Sequence, residues 1–399
     1  GYDKPCSCRS CIIPTMLQTM MSETIITTPH VVKLISNFFQ KKLFSSISTA
    51  YPLVIITDVS VQQHLLGPIL DHIKMLGYQV IVLTFPPGEP NKTWETFISL
   101  QYQLVDQNIS PKSSIIGIGG GTVLDMTGFL AATYCRGLPL YLIPTTITAM
   151  VDTSIGGKNG INLRGIKNRL GTFYLPKEVW MCPQFLSTLP REEWYHGIAE
   201  AIKHGFIADA YLWEFLNSHS KMLFSSSQIL HEFIKRNCQI KAAIVAEDPY
   251  DRSLRKILNF GHSIAHAIET LAKGTVNHGQ AVSVGMMIET RISLAEGVMK
   301  TPQLIDQLER LLKRFNLPST LKDLQSIVPE HLHNSLYSPE NIIYTLGYDK
   351  KNLSQHELKM IMIEHLGRAA PFNGTYCASP NMEILYDILW SECHVMRHC

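Results

Sequence analysis

Residues 115–125 read IIGIGGGTVLD, an apolar run that ends in three glycines and continues at once into helix-forming residues. Such a junction opens a βα unit, because glycine lets the chain turn tightly and approach other backbone or a ligand without a Cβ in the way. A helix beginning near Thr122 presents free N–H groups and the positive end of its dipole to an anion such as a pyrophosphate. The G-x-G-x-x-G dinucleotide fingerprint asks for glycine where this chain has Thr122, so the usual match fails by one position. A tight structural turn is the competing explanation for Gly119, Gly120 and Gly121.

The surrounding pattern extends the unit into a sheet. Strands are expected at 51–57 (YPLVIIT), 78–85 (YQVIVLTF, closed by Pro-Pro-Gly), 114–118 and 140–143, with helices at 61–76 and 93–107 between them. Strands alternating with helices make a mostly parallel sheet covered on both faces. Beyond about residue 190 strand signals nearly vanish until LKMIMI at 358–363. The fold class expected is an α/β N-terminal Rossmann-like parallel-sheet domain plus a mainly α-helical C-terminal domain. Its boundaries fall at 1–22 for a flexible tail, 23–190 for the sheet part and 191–399 for the helical part.

Composition narrows the partners. A net charge of +2 over 399 residues gives no basic field for a nucleic-acid backbone. No apolar run reaches the roughly eighteen residues of a spanning helix, and no basic segment leads into an apolar one at the start, so a cytoplasmic protein is expected. Six of the nine cysteines lie near the ends, at Cys6, Cys8, Cys11, Cys377, Cys393 and Cys399. An odd, scattered count reads as reduced thiols rather than a disulfide framework, and the first three lack a fourth metal ligand at usual spacing.

Polar residues then mark the chemistry. The segment 144–168 (PTTITAMVDTSIGGKNGINLRGIKN) is too polar and glycine-rich for core and is expected as loops, with Thr145, Thr146, Asp152, Lys158, Lys167 and Asn168 lining a site for a hydroxylated, phosphorylated ligand; a solvated surface loop is the alternative. Asp58, Glu89 and Lys92 follow the first two strands, where cofactors bind in open α/β sheets. His196, Glu200 and His204 recur every fourth residue on one helix face, His262 and His266 are also four apart, and His278 follows. A carboxylate and two imidazoles suit a catalytic zinc with an open position, but spacing alone leaves at least two such sets open, and a structural role for each histidine stands beside ligation.

The ordered motifs GGGTVLDMTGFLAATYCRG, PTT, VDTSIGGKNGIN, KNRLGTFYLP, TLPREEWYHGIAEAIKHG, LRKILNFGHSIAHAIE and NHGQAV strongly resemble those of the 3-dehydroquinate synthases and the wider sugar phosphate cyclases, over about residues 50–370. The resemblance implies Glu200, His262 and His278 as ligands of zinc, or of cobalt in its place, and leaves His196, His204 and His266 outside. It implies that NAD is held by Asp58, Glu89, Lys92, the run Gly119, Gly120 and Gly121, Asp125, Thr145, Thr146, Asp152, Lys167, Thr188 and Leu189. Substrate contacts carried over are Asp152, Lys158, Asn168, Lys203, Lys241, Arg255, Asn259, His266 and Lys351, with Arg136 reaching a neighbouring subunit's site in a homodimer.

The chemistry so implied is a hydride borrowed and returned. A ring hydroxyl is oxidised, the adjacent C–H becomes acidic, phosphate leaves and acts as its own base, the ketone is reduced, and the opened ring closes by aldol addition. NAD is not consumed. Lys158, Asn168 and His266 would hold the departing phosphate. Lys241 and Arg255 would neutralise the carboxylate of a 3-deoxy-heptulosonate 7-phosphate, and Asn259 and His266 fit that substrate. The run Gly165 to Arg169 looks more like the sedoheptulose 7-phosphate cyclases, and Gln280 replaces a usual glutamate. A polyol dehydrogenase would share the glycine run and metal site but has no use for the phosphate cluster; the departures in the loop and at Gln280 would suit a non-catalytic NAD- or zinc-binding scaffold, against which the complete set of catalytic residues counts.

Overall fold

The β-branched runs form strands at β1 (Glu23–Thr27), β2 (His30–Leu34), β3 (Leu53–Asp58), β4 (Val80–Phe85), β5 (Ile115–Gly119), β6 (Leu140–Pro144), β7 (Lys158–Leu163), β8 (Ile166–Phe173) and β9 (Glu178–Met181). They are seen in a computed structural model that describes residues 23–27, 30–348 and 358–394. Seven of them make one sheet in the order β1-β2-β9-β6-β5-β3-β4, with every pairing parallel except that of β1 with β2. The first hairpin and β9 were not among the expected strands, although ETIIT and HVVKL are rich in β-branched residues.

Both faces of the sheet are buried, and strand alternation shows how. Val54 and Ile56 of β3 enter one core while Leu53 and Ile55 enter the other. In β5, Ile116 and Ile118 face the second core, which puts Gly117 and Gly119 against the helix Gly121–Thr133. A Cβ at Gly117 would lie 2.8 Å from Thr127 Oγ1, and one at Gly119 only 2.6 Å from the Val123 side chain. Gly119 therefore serves close strand–helix packing, the structural side of the two explanations offered for the glycine run.

The expected helix at 61–76 is interrupted: Gln62–Leu66 is a π turn that leads into Gly67–Met75. Pro68 has no N–H to return to the carbonyl one turn earlier, which is where the regular ladder fails. The helix Trp94–Asp106 matches its expected span and is capped by Thr93, whose Oγ1 accepts from Thr96 N at 3.2 Å.

The larger correction concerns 144–168. Ala149–Thr153 forms a π turn, and from Lys158 onward the segment is not loop but an antiparallel hairpin of β7 and β8, whereas Thr145, Thr146 and 154–157 are the expected loop and turn. Leu163 pairs with Ile166, leaving Arg164 and Gly165 as a two-residue turn with φ of 50° and 77°. Two positive φ angles are the type I′ geometry that matches strand twist. Polar composition hid the alternation that builds the hairpin.

From Arg191 onward the described residues are mainly helical, with Arg191–Ala208, Ser227–Glu247, His262–Leu271 and His278–Ala295 stacked around the first core and short two-stranded ladders between 360 and 378. No helix among the described residues is long and apolar enough to cross a membrane. Cys135, Cys182, Cys238, Cys377 and Cys393 are free thiols. Lys351 and the thiols Cys6, Cys8, Cys11 and Cys399 lie outside the described residues.

Candidate active site

The chain crosses back over the sheet after β4 to place β5 on the far side of β3. At such a switch point the loops diverge and leave a crevice at the carboxyl ends of the strands. Asp58 ends β3, Gly120 and Gly121 follow β5, Thr145 and Thr146 follow β6, and Thr188 and Leu189 end the 3-10 turn after β9. Thr145 N donates to Gly119 O at 2.9 Å, which ties two of these ends together. A Cβ at Gly120 would stand 3.1 Å from Thr146 Cγ2, so the cradle is already close to full. Asp58 accepts from Val61 N at 2.8 Å as a helix cap.

Beside the crevice, Lys92 is buried and donates to Asp125 at 2.5 Å and to Asn168 Oδ1 at 2.6 Å. Burial pulls the lysine down, but Asp125 and Glu89 hold its pKa above the ordinary value. Glu89 in turn accepts from Thr122 and from Asn162, at 3.2 and 2.8 Å. The hairpin is thus bound to Lys92 and Glu89 beside the strand ends through Asn168 and Asn162, and Asn162 is a contact that sequence reading missed.

Three of the candidate metal ligands converge in three dimensions. Glu200, from the helix Arg191–Ala208, stands with His262 and His278, and one ligand atom of each lies within 4.8 Å of the others. Both imidazole Nε2 atoms are 3.3 Å from Glu200 Oε1, a buried oxygen with no hydrogen-bond partner among the described residues. His196 instead lies near Glu193, and His204 is buried against Asn237, 2.9 Å away. His266 packs beside the cluster, its ring centre 5.8 Å from that of His262, and burial together with His262 pushes it down to about 3.

The opposite nitrogens are held as metal-binding histidines require. His262 Nδ1 meets Phe260 O at 3.0 Å and His278 Nδ1 meets Glu269 Oε1 at 3.2 Å, the same oxygen that accepts from Lys167 at 2.8 Å. Burial alone would lower His278; the adjacent carboxylates of Glu200 and Glu269 raise it to about 10. Burial likewise opposes charge on Glu200, yet Lys203, 2.5 Å away, and His262 hold it well below the usual carboxylate range. Oxygen and imidazole donors converging on one orphaned carboxylate oxygen fit a divalent cation of the zinc or cobalt type.

A seam of paired charges runs on from this cluster. Lys241 Nζ is 2.5 Å from Asp152 Oδ1, and Asp152 feels Glu200 and Lys203 as well. Burial pulls both Lys241 and Arg255 below their ordinary values. Arg255 is buried, donates to Pro249 O at 2.9 Å and would strike a Cβ at Gly156. Lys158 pairs with Asp251 at 2.5 Å. Asn259 is exposed at the end of the turn Leu254–Asn259, and Arg136 is exposed with φ of 63°.

Glu269 was legible in principle, three residues after His266 on the face it shares with His262. Asp251 was not; no local pattern marks it. Gln280, the departure after His278, accepts from Asn277 N at 3.0 Å and completes a capping box at the start of its helix. A glutamine performs that task as a glutamate would, so the departure leaves the metal ligand in place.

A family model described as 3-dehydroquinate synthase N-terminal matches residues 82–196, and one described as 3-dehydroquinate synthase C-terminal matches 197–352. The 3-dehydroquinate synthase of Chlamydia caviae is 68% identical over 376 residues, covering 94% of this chain and 99% of that protein. That of Chlamydia trachomatis serovar D is 44% identical over 378 residues, covering 95% and 100%. Among solved structures, 2-deoxy-scyllo-inosose synthase complexed with carbaglucose-6-phosphate, NAD+ and Co2+ superposes with a TM-score of 0.79 at 25% identity, covering 93% of this chain and 99% of that one. The chain belongs to the 3-dehydroquinate synthase family.

Proposed function

We propose that the chain converts 3-deoxy-D-arabino-heptulosonate 7-phosphate to 3-dehydroquinate and phosphate, a carbon–oxygen lyase reaction that closes a ring. Near full-length identity to named 3-dehydroquinate synthases supports the activity. The observation that carries the site is the convergence of Glu200, His262 and His278 beside the Asp152–Lys241 pair.

Asp58, Glu89, Lys92, Gly119 to Gly121, Asp125, Thr145, Thr146, Asp152, Lys167, Thr188 and Leu189 would hold NAD along the strand ends, and Glu200, His262 and His278 would hold zinc or cobalt. When bound, NAD supplies a reversible hydride acceptor and the metal a Lewis acid that lowers the pKa of the hydroxyl to be oxidised. Lys203 neutralises Glu200 and keeps it ionised. Lys241 and Arg255 present two buried cations to the substrate carboxylate, and Lys158, Asn168 and His266 take the phosphate. Neutral at ordinary pH, His266 donates or accepts a hydrogen bond there without adding charge.

Residues 23–190 and 191–399 are read as cofactor-binding and metal-binding domains of a cytoplasmic homodimer, with Arg136 of one subunit serving the other's site. Turnover of the carboxylated heptulosonate and of sedoheptulose 7-phosphate, side by side with NAD and Zn2+, tests the function. Phosphate release from the first without net NADH is expected. Efficient use of the second alone overturns the substrate, and net NADH from a simple polyol overturns the reaction class.

A further inference from the structure

The helix that carries His262 begins in an unusual way. Its cap is Gly261, left-handed at φ +77°, and no side chain of its own can satisfy the turn. The Gly261 N–H instead donates to Glu289 Oε2 at 2.7 Å. Glu289 is only 1% exposed and sits on the helix His278–Ala295, about three turns beyond His278. At the same place the two backbones touch. A Cβ on Gly261 would lie 2.9 Å from Met286 N, and one on Gly285 would lie 2.0 Å from Gly261 O.

We infer that Glu289 is a positioning residue for metal binding: its carboxylate registers the backbone immediately before His262 against the helix that presents His278. The inference rests on the triad proposed above. Phe260 O accepts from His262 Nδ1, so a shift of the Phe260 to Gly261 turn moves both the ligand's backbone and the acceptor that orients its ring. Glycine at 261 and 285 supplies the close approach, and Glu289 supplies the acceptor for the Gly261 N–H. The residue acts through His262 and touches neither metal nor substrate.

The test compares full-length wild type, E289Q and E289L for Zn2+ affinity by chelator competition and for the visible bands of the Co2+-loaded protein. E289L should bind Zn2+ about 10- to 100-fold more weakly, with shifted Co2+ bands, as for loss of other groups that orient a ligand. E289Q keeps an oxygen at the same reach and should stay near wild type. If E289L does not fold, E289D, one methylene shorter, is expected to show the same weakening. A folded E289L or E289D with wild-type Zn2+ affinity and unchanged Co2+ bands overturns the inference, even if the metal-free protein melts earlier. A wild type that binds no Zn2+ overturns the triad itself and this inference with it.

Discussion

Asp58, Gly120 and Thr145 stand at the ends of adjacent parallel strands, whereas Glu200, His262 and His278 come from three helices that begin at Arg191, His262 and His278. The first region is built by backbone. Its positions follow from sheet order, and its tolerance is limited by space, as the 3.1 Å between a Gly120 Cβ and Thr146 shows. The second is built by side chains whose charges and hydrogen bonds hold one another, so its tolerance is limited by chemistry. Removing one partner there leaves a buried group exposed to desolvation with nothing to offset it.

The largest effect should come from Glu200→Gln. The variant keeps the volume but removes the charge on which both imidazoles converge, so metal should be lost on dialysis and kcat should fall on the order of 1000-fold, the equivalent of about 4 kcal/mol. Metal content by mass spectrometry checks the cause. Full metal occupancy with a wild-type rate would put the site elsewhere and remove the contrast between the two regions.

Arg255→Met comes next. A buried cation facing a substrate carboxylate is worth about 2–5 kcal/mol when its partner is left desolvated. The loss should appear in kcat/KM for the carboxylated heptulosonate and should be far smaller for a substrate with a hydroxymethyl group in its place. Equal losses with both would show that Arg255 acts through Pro249 and the Gly156 turn, as structure rather than as recognition.

Gly120→Val probes the other region by space alone. The added side chain overfills the contact with Thr146, and overpacking of this kind costs about 1–3 kcal/mol, or roughly 5- to 150-fold in NAD affinity. Metal affinity should not change. A variant that loses Zn2+ binding along with NAD would mean that the two regions are one mechanical unit.

Legibility followed the same division. β3 to β6 and the placement of Asp58 and the glycine run could be read because strand alternation and strand ends are local properties. The metal set could not be read from spacing, since His196, Glu200 and His204 share a face as well as His262 and His266 do. Only the distance between helices separates the two sets, and family resemblance supplied what periodicity lacked. The β7–β8 hairpin was hidden by its polarity, because Lys158, Asn162 and Lys167 interrupt the apolar pattern and leave Ile161 in the core with Leu170 packed against it. Asp251 had no signal at all; its partnership with Lys158 exists only once the hairpin is folded against the turn after Ser227–Glu247.

Lys167 offers the finest division between the two regions, because it reaches from the β7–β8 hairpin to Glu269 beside the candidate metal ligands. Its side chain is 41% exposed and that of Glu269 only 7%. A pair with one solvated partner is screened, and exposed pairs contribute about 0.2–1 kcal/mol, so Lys167→Met should lower stability by less than about 1 kcal/mol in a denaturant titration. Glu269 keeps His278 as a donor in the variant, and Zn2+ affinity should stay close to wild type. NAD affinity should fall by more than stability does if the lysine also faces the cofactor. A loss of several kcal/mol in stability instead would make Lys167 a bolt between the halves, and the separation of backbone-built and side-chain-built regions would then be a difference of origin without a difference in behaviour.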